Sequence, residues 1–375
     1  MEALDRFAEI VQEPRDFLIE WKRKTNGKVI GCYPMYVPEE IIHAAGVLPV
    51  TLLGSDESVT LAQSYLHSFL CHPVRSNFDH FLKGGLDFVD GLVFPDICDQ
   101  EKRVASVWRL HSTFPLFHFV SLPKRLQSAG GKEHLVRELT RLRSALEDFC
   151  SRKVADDELR SSISVYNASR SLLSQIYKLR RDSQGALSTV ELSTVVTAGM
   201  LMPKEEYNAL LSDYLSWKQD YTSSAEDRVR LAIVGNPCED LEPGMGQMIE
   251  GLGGVVVDDD IFTGGRYFGS PVLEEGDPLN ALAEGYLQGM ACPTKHDSTR
   301  NWADHVLSVV SRSKASGVVV LLPKNCEIYA FEFPYLRKRL NEASVPHLML
   351  ECDHSGATGA TRTRLEAFIE MLRGE

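Results

Sequence analysis

The sequence predicts an α/β protein with two parallel-sheet units, residues 1–128 and 226–375, joined by a mainly helical region over 129–225. Three observations carry this expectation. Short apolar runs alternate with helix-patterned segments at both ends of the chain, which is how βαβ units are written. The middle has no such runs and repeats apolar residues at helical spacing: Leu135, Leu139, Leu142 and Leu146, then Leu159, Ile163, Tyr166 and Leu172, then Tyr207, Leu210, Leu211 and Tyr214. A chain of 375 residues also exceeds one ordinary core, so more than one folding unit is expected.

In chain order, 5–24 reads as an amphipathic helix interrupted near Pro14. A strand over 28–32 ends in a turn. Pro38 and Gly46 bracket a short helix, in the usual order of proline at the start and glycine at the end. Residues 47–54 form a second strand, 60–82 a helix broken at Pro73, and 88–95 and 114–120 two more strands. After the helical middle, 222–228 reads as a linker. Strands at 229–235, 254–258, 317–323 and 347–351 then alternate with helices at 245–252, 302–313, 335–343 and 362–372, around a loop-rich stretch after 258. Two α/β halves joined by helices imply a cleft between them, the usual place for a ligand.

Composition narrows the function. Hydrophobic content of 43% and charged content of 25% are those of a globular protein. A net charge of -12 argues against nucleic acid, whose binding rests on Lys and Arg contacts to phosphate. No apolar stretch is long enough for a membrane helix, and the acidic N-terminus is unlike a signal peptide. A cytoplasmic location is expected.

Eight cysteines in such a chain read as metal-binding, catalytic or simply buried, not as a disulfide framework. None is spaced Cys-x-x-Cys, so any metal site must be assembled from distant segments. Cys71, Cys98 and Cys326 stand out because each sits where an apolar run gives way to a turn. Strand ends of this kind deliver side chains to a sheet rim. Three thiolates brought to one place there would leave a metal or cluster with an open coordination position, as catalysis needs.

Other motifs are weaker. Gly244 to Gly251 has neither the spacing nor the strand context of a dinucleotide fingerprint, and there is no Gly-x-x-x-x-Gly-Lys-Ser/Thr phosphate loop. Asp258, Asp259 and Asp260 could hold Mg²⁺, but three consecutive acids at a strand end read more naturally as a solvated turn or capping cluster. The segment from Gly31 to Glu40 reads equally as a rigid strand-to-helix loop and as a pocket wall.

Three segments carry a resemblance: GCYPMYVPEEIIHAAGVLP over 31–49, SYLHSFLCHPVRS over 64–76 and LDFVDGLVFPDICD over 86–99. Together with Cys326 and the tail over 362–370, they resemble the family of 2-hydroxyacyl-CoA dehydratase and class I, ATP-dependent benzoyl-CoA reductase cluster subunits. The forms around Cys71 and Cys98 are most similar to the smaller benzoyl-CoA reductase cluster subunit. The resemblance implies a [4Fe-4S] cluster held by Cys71, Cys98 and Cys326 and a homologous cluster-binding partner subunit. It further implies an acyl-CoA substrate and an ATP-hydrolysing iron-sulfur activator that delivers electrons singly. It makes the chain an oxidoreductase subunit in anaerobic aromatic degradation. The alternatives are a dehydratase (a lyase) using the same cluster and activator, and a non-catalytic electron-transfer or assembly partner. Ring protonation would need an acid, for which His72, Glu39 and Cys32 are the candidates. Cys32 and Cys352 depart from the ligand pattern and read as pocket or structural thiols.

Overall fold

A computed structural model describes residues 2–55, 57–183, 186–219, 228–235, 243–269, 271–352 and 359–374. The linker expected at 222–228 lies, but for Arg228, outside the described residues, as does Cys238.

The described residues build two four-stranded sheets, both parallel throughout. The first contains β1 (Val29–Cys32), β2 (Leu48–Thr51), β3 (Gly91–Pro95) and β4 (Leu116–Val120), in the order β2-β1-β3-β4. The second contains β5 (Val229–Gly235), β6 (Gly254–Asp260), β7 (Gly317–Pro323) and β8 (His347–Cys352), in the order β6-β5-β7-β8. The two sheets share one topology. In each, the strand order reverses beside the first strand, and crevices at such points, beyond the carboxyl ends of the strands, are where open α/β sheets bind ligands. Most strand residues are buried, as expected for parallel strands covered on both faces. Gly235 closes β5 with φ 133°, and a Cβ there would lie 1.9 Å from the Leu321 carbonyl oxygen, so only glycine fits.

At the N-terminus, α1 (Glu2–Gln12) and α2 (Pro14–Thr25) meet at Pro14, which opens the second helix instead of breaking the first. The short α3 is Glu39–Ala44. The helical middle holds α6 (Gly131–Cys150), α7 (Asp156–Asp182), α8 (Thr189–Gly199) and α9 (Lys204–Gln219). The 27-residue α7 is about 40 Å long and packs against both α3 and β6, so it touches the surroundings of both sheets. One core runs from Phe7 and Trp108 through Leu142, Tyr207 and Tyr214. Smaller cores cover the second sheet, one of them built with α10 (Pro243–Gly251) and α14 (Gly359–Arg373).

Four local expectations change. Residues 60–71 are not helical: a single 3₁₀ turn (Ala62–Ser64) leads into a loop, and α4 (His72–Leu82) begins only after Cys71. The reason is Asp79, whose buried carboxylate accepts from the Thr60 and Ala62 N–H groups at 2.9 and 2.8 Å and holds that stretch off the helix axis. Pro73 starts α4; it does not kink it. An unanticipated α5 (Asp99–His111) follows Cys98, and the stretch after β6 contains α11 (Pro278–Gln288), capped by Asp277. The helix expected at 335–343 starts earlier, as α13 (Glu327–Glu342), with Pro334 inside it.

The acidic run corrects a further expectation. Asp258, Asp259 and Asp260 are all buried at the end of β6 and face cations from several elements. Asp258 pairs with Arg312 at 2.7 Å, on α12 (Trp302–Ser313), and with Arg181 at 3.4 Å. Asp259 pairs with Arg180 at 2.6 Å and accepts from Tyr177. Asp260 pairs with Arg266 and His305 and accepts from Trp302. Every carboxylate is engaged by protein donors, so the run ties α7 and α12 to the second sheet. It is neither a solvated turn nor a Mg²⁺ site.

Candidate functional site

Cys71, Cys98 and Cys326 come from three separated segments and line one cavity of about 350 Å³. Each occupies the same local position. Cys98 follows β3 and is the residue immediately before α5; Cys326 follows β7 and precedes α13; Cys71 precedes α4. Three helix N-termini therefore converge on the cavity, each with unsatisfied N–H groups and the positive end of its dipole. The Cys98 Sγ already accepts from the Glu101 N–H at 3.4 Å. At Cys326 the chain turns tightly: its N–H donates to the Pro323 carbonyl at 3.0 Å, and Asn325 takes φ 65°, a conformation asparagine tolerates well.

One side chain links these segments. Gln100 Oε1 accepts from the Cys71 N–H at 2.8 Å, while its Nε2 donates to the Asn325 carbonyl at 2.9 Å. Two residues past Cys98, it thereby ties the Cys71 loop to the turn that carries Cys326. The amide thus joins segments that follow a strand of each sheet, β3 and β7.

Burial dominates the electrostatics of this cavity. Burial pushes the Cys98 thiol up, and Glu101, Cys71 and Cys326 push it further. Burial likewise drives the Glu101 carboxyl well above its ordinary value, against Lys124. A thiol raised by burial and by its neighbours stays protonated and inert until a metal offsets the charge of the thiolate. Among the described residues, no three His, Cys, Asp or Glu groups are gathered as the ligands of a single metal ion. The ligands of an iron-sulfur cubane bind different irons and stand farther apart than those of one ion.

A second cavity of about 190 Å³ adjoins the first, with Tyr33 and Pro34 lining both. Cys32 and Glu39 line it; His72, although next to Cys71, belongs to neither lining. Cys32 is buried at the end of β1, and burial raises its pKa well above normal. Burial also raises Glu39, against the pull of Lys204 3.6 Å away, and Glu39 accepts from the Tyr267 hydroxyl at 3.1 Å. The sequence reading missed Gln100, Glu101, Arg266 and Lys295. The first two had a signal, since residues just after a strand-end cysteine open the next helix; the others come from a stretch read as loop.

The family model for 2-hydroxyglutaryl-CoA dehydratase, D-component, matches residues 34–372. The chain belongs to this family. One of the subunits of benzoyl-CoA reductase from Thauera aromatica is 31% identical over 373 residues, covering 97% of each chain. The (R)-phenyllactyl-CoA dehydratase beta subunit of Clostridium sporogenes is 25% identical over 369 residues, 98% of this chain and 97% of its own. The beta subunit of (R)-2-hydroxyglutaryl-CoA dehydratase from Acidaminococcus fermentans is 26% identical over 377 residues, 98% of each. These relatives are subunits of acyl-CoA reductases or dehydratases, so the family is one of multi-subunit enzymes. Among the described residues no helix is long and apolar enough to cross a membrane.

Proposed function

We propose that the chain is the iron-sulfur subunit of an ATP-dependent aromatic acyl-CoA reductase acting on benzoyl-CoA or a close relative, with Cys71, Cys98 and Cys326 holding a [4Fe-4S] cluster. The observation that carries this reading is the shared cavity: three cysteines, distant in sequence, each at a helix N-terminus, clamped together by Gln100. The likeness to the Thauera benzoyl-CoA reductase protein supports the choice of reaction.

Bound there, the cluster would supply single low-potential electrons. The chain's own residues do the rest. Helix N-termini and the Glu101 N–H stabilise negative charge on the sulfurs, and hydrogen bonding to sulfur is one of the terms that sets a cluster's potential. The neighbouring cavity is lined largely by apolar and aromatic side chains, which limit water around a reactive acyl group. Glu39, its carboxyl raised by burial, is a candidate acid beside that cavity, with Cys32 close by and His72 as the remaining candidate. The chain has no phosphate loop, so ATP hydrolysis falls to an iron-sulfur activator, and the cytoplasmic enzyme is completed by a homologous cluster-binding partner.

The dehydratase reading, elimination of water from a 2-hydroxyacyl-CoA, is favoured by the end-to-end likeness to dehydratase beta subunits. Stoichiometry separates the two. An anaerobic assay of the full complex with acyl-CoA, ATP and reductant should consume ATP and reductant at every turnover if the enzyme is a reductase. Catalytic consumption would move the assignment to the dehydratase. Turnover by the isolated chain without ATP would refute both.

A further inference from the structure

The charges lining the second cavity do not balance. Of its cations, Arg170 pairs with Glu40, Lys204 with Glu39 and Arg266 with Asp260. Lys295 is left over: among the described residues no carboxylate lies within ion-pairing distance of its ammonium. Its Nζ donates to the Tyr286 carbonyl at 3.2 Å and stands 3.9 and 4.0 Å from the ring centres of Tyr36 and Tyr286. Arg266, only 5% exposed, spends Nη2 on Asp260 at 2.7 Å, but its Nε and Nη1 are buried without an acceptor. Buried donors left unsatisfied are costly, and they mark a place built for something else.

We propose that Arg266 and Lys295 bind the carbonyl oxygen of an acyl thioester, with the acyl group lying against Tyr36 and Tyr286. The proposal rests on the acyl-CoA reading above and assigns it a site. Donors held on a carbonyl oxygen, one of them a guanidinium, stabilise any negative charge that develops there. The size suits an aryl group: a cavity of roughly 150 Å³ holds benzene, and this one is about 190 Å³. The titratable groups around Lys295 are Cys292, Arg266, Arg300, Tyr36 and Tyr286. Burial pushes the Cys292 thiol up, yet Arg266 and the Thr294 and Tyr36 hydroxyls outweigh it and leave the thiol below its ordinary value. The surroundings thus favour negative charge at this spot.

The test compares benzoyl-CoA with S-benzyl-CoA, in which a methylene replaces the carbonyl, and with free benzoate. Binding is measured calorimetrically on the anaerobically purified complex containing the full chain. Lys295→Met should weaken benzoyl-CoA about tenfold or more and leave S-benzyl-CoA unchanged, while Lys295→Arg should recover much of the loss. Lys295→Met removes a buried charge and is expected to fold, which circular dichroism checks. Equal weakening of both thioesters and thioethers, or no change in either, would overturn the assignment and leave the acyl-CoA reading standing. Benzoate binding more tightly than benzoyl-CoA would also overturn it, in favour of a free-carboxylate site. If the wild-type complex binds neither CoA derivative, the acyl-CoA reading itself fails.

Discussion

Gln100 is the most economical place to perturb the cysteine cavity, because its amide makes both cross-segment hydrogen bonds and its replacement leaves every cysteine intact. Gln100→Leu keeps the side chain's bulk and removes both bonds, at 2.8 and 2.9 Å. Each is worth about 0.5–1.5 kcal/mol net. The site is partly open, so water can take over some of the lost pairing, and a total of about 1–2 kcal/mol follows. If that energy holds the Cys71 loop against the Cys326 turn, its loss shifts the balance between assembled and splayed loops by a factor of roughly 5–30. The assay is the rate of iron loss to a chelator from the anaerobically reconstituted chain, with urea unfolding of the apo-protein as the control for global stability. The expected result is iron loss accelerated by about that factor, with global stability lowered by no more than about 2 kcal/mol. A variant that retains iron as tightly as the wild type would refute the clamp. So would a loss of iron that merely tracks unfolding.

Two further outcomes follow from buried charges. Arg180→Met leaves Asp259 buried beside Tyr177 without its cation, and should cost about 3–5 kcal/mol in urea unfolding; the double change Arg180→Met with Asp259→Leu should recover much of it, and a single-variant cost below about 1 kcal/mol would show that the pair is not structural. Lys295 sits at about 7 in the fold against 10.5 in the free side chain, so between those values the unfolded chain holds the extra proton and stability rises with pH. Its contribution is most unfavourable below about pH 7, by roughly 4–5 kcal/mol at most, and vanishes above about 10.5. Lys295→Met should therefore exceed the wild type in stability at about pH 6.5, keep roughly 1–2 kcal/mol of that advantage at about pH 9.5 and lose it only above about pH 10.5; an advantage independent of pH would contradict the buried charge.

Much of the fold was legible because its signals are local. The strand at 229–235, the strand at 317–323 and the helix at 302–313 stand where apolar runs and helical spacing put them. Cys98 and Cys326 stand after buried strands, as their apolar runs implied, whereas Cys71 follows a loop. The failures involve partners distant in sequence. Residues 60–71 read as part of a helix, but Asp79, well downstream on α4, holds the backbone of that segment in a loop. Asp258 to Asp260 look solvated until Arg180, Arg181, Arg266, His305 and Arg312 arrive from other parts of the chain. Lys295 and Arg266 carry no motif at all. Their meaning lies in the missing acceptor and the missing carboxylate, which only the assembled cavity reveals.

The central claim is that Cys71, Cys98 and Cys326 hold one cluster, and Mössbauer spectroscopy with iron analysis on ⁵⁷Fe-reconstituted protein tests it most directly. The wild-type chain should carry about four irons with a cubane spectrum. Cys71→Ser, Cys98→Ser and Cys326→Ser should each lose or distort that signal, while Cys150→Ser, at the far end of α6, should keep it in full. An unchanged spectrum in any of the three, or an equal loss in Cys150→Ser, would contradict the account.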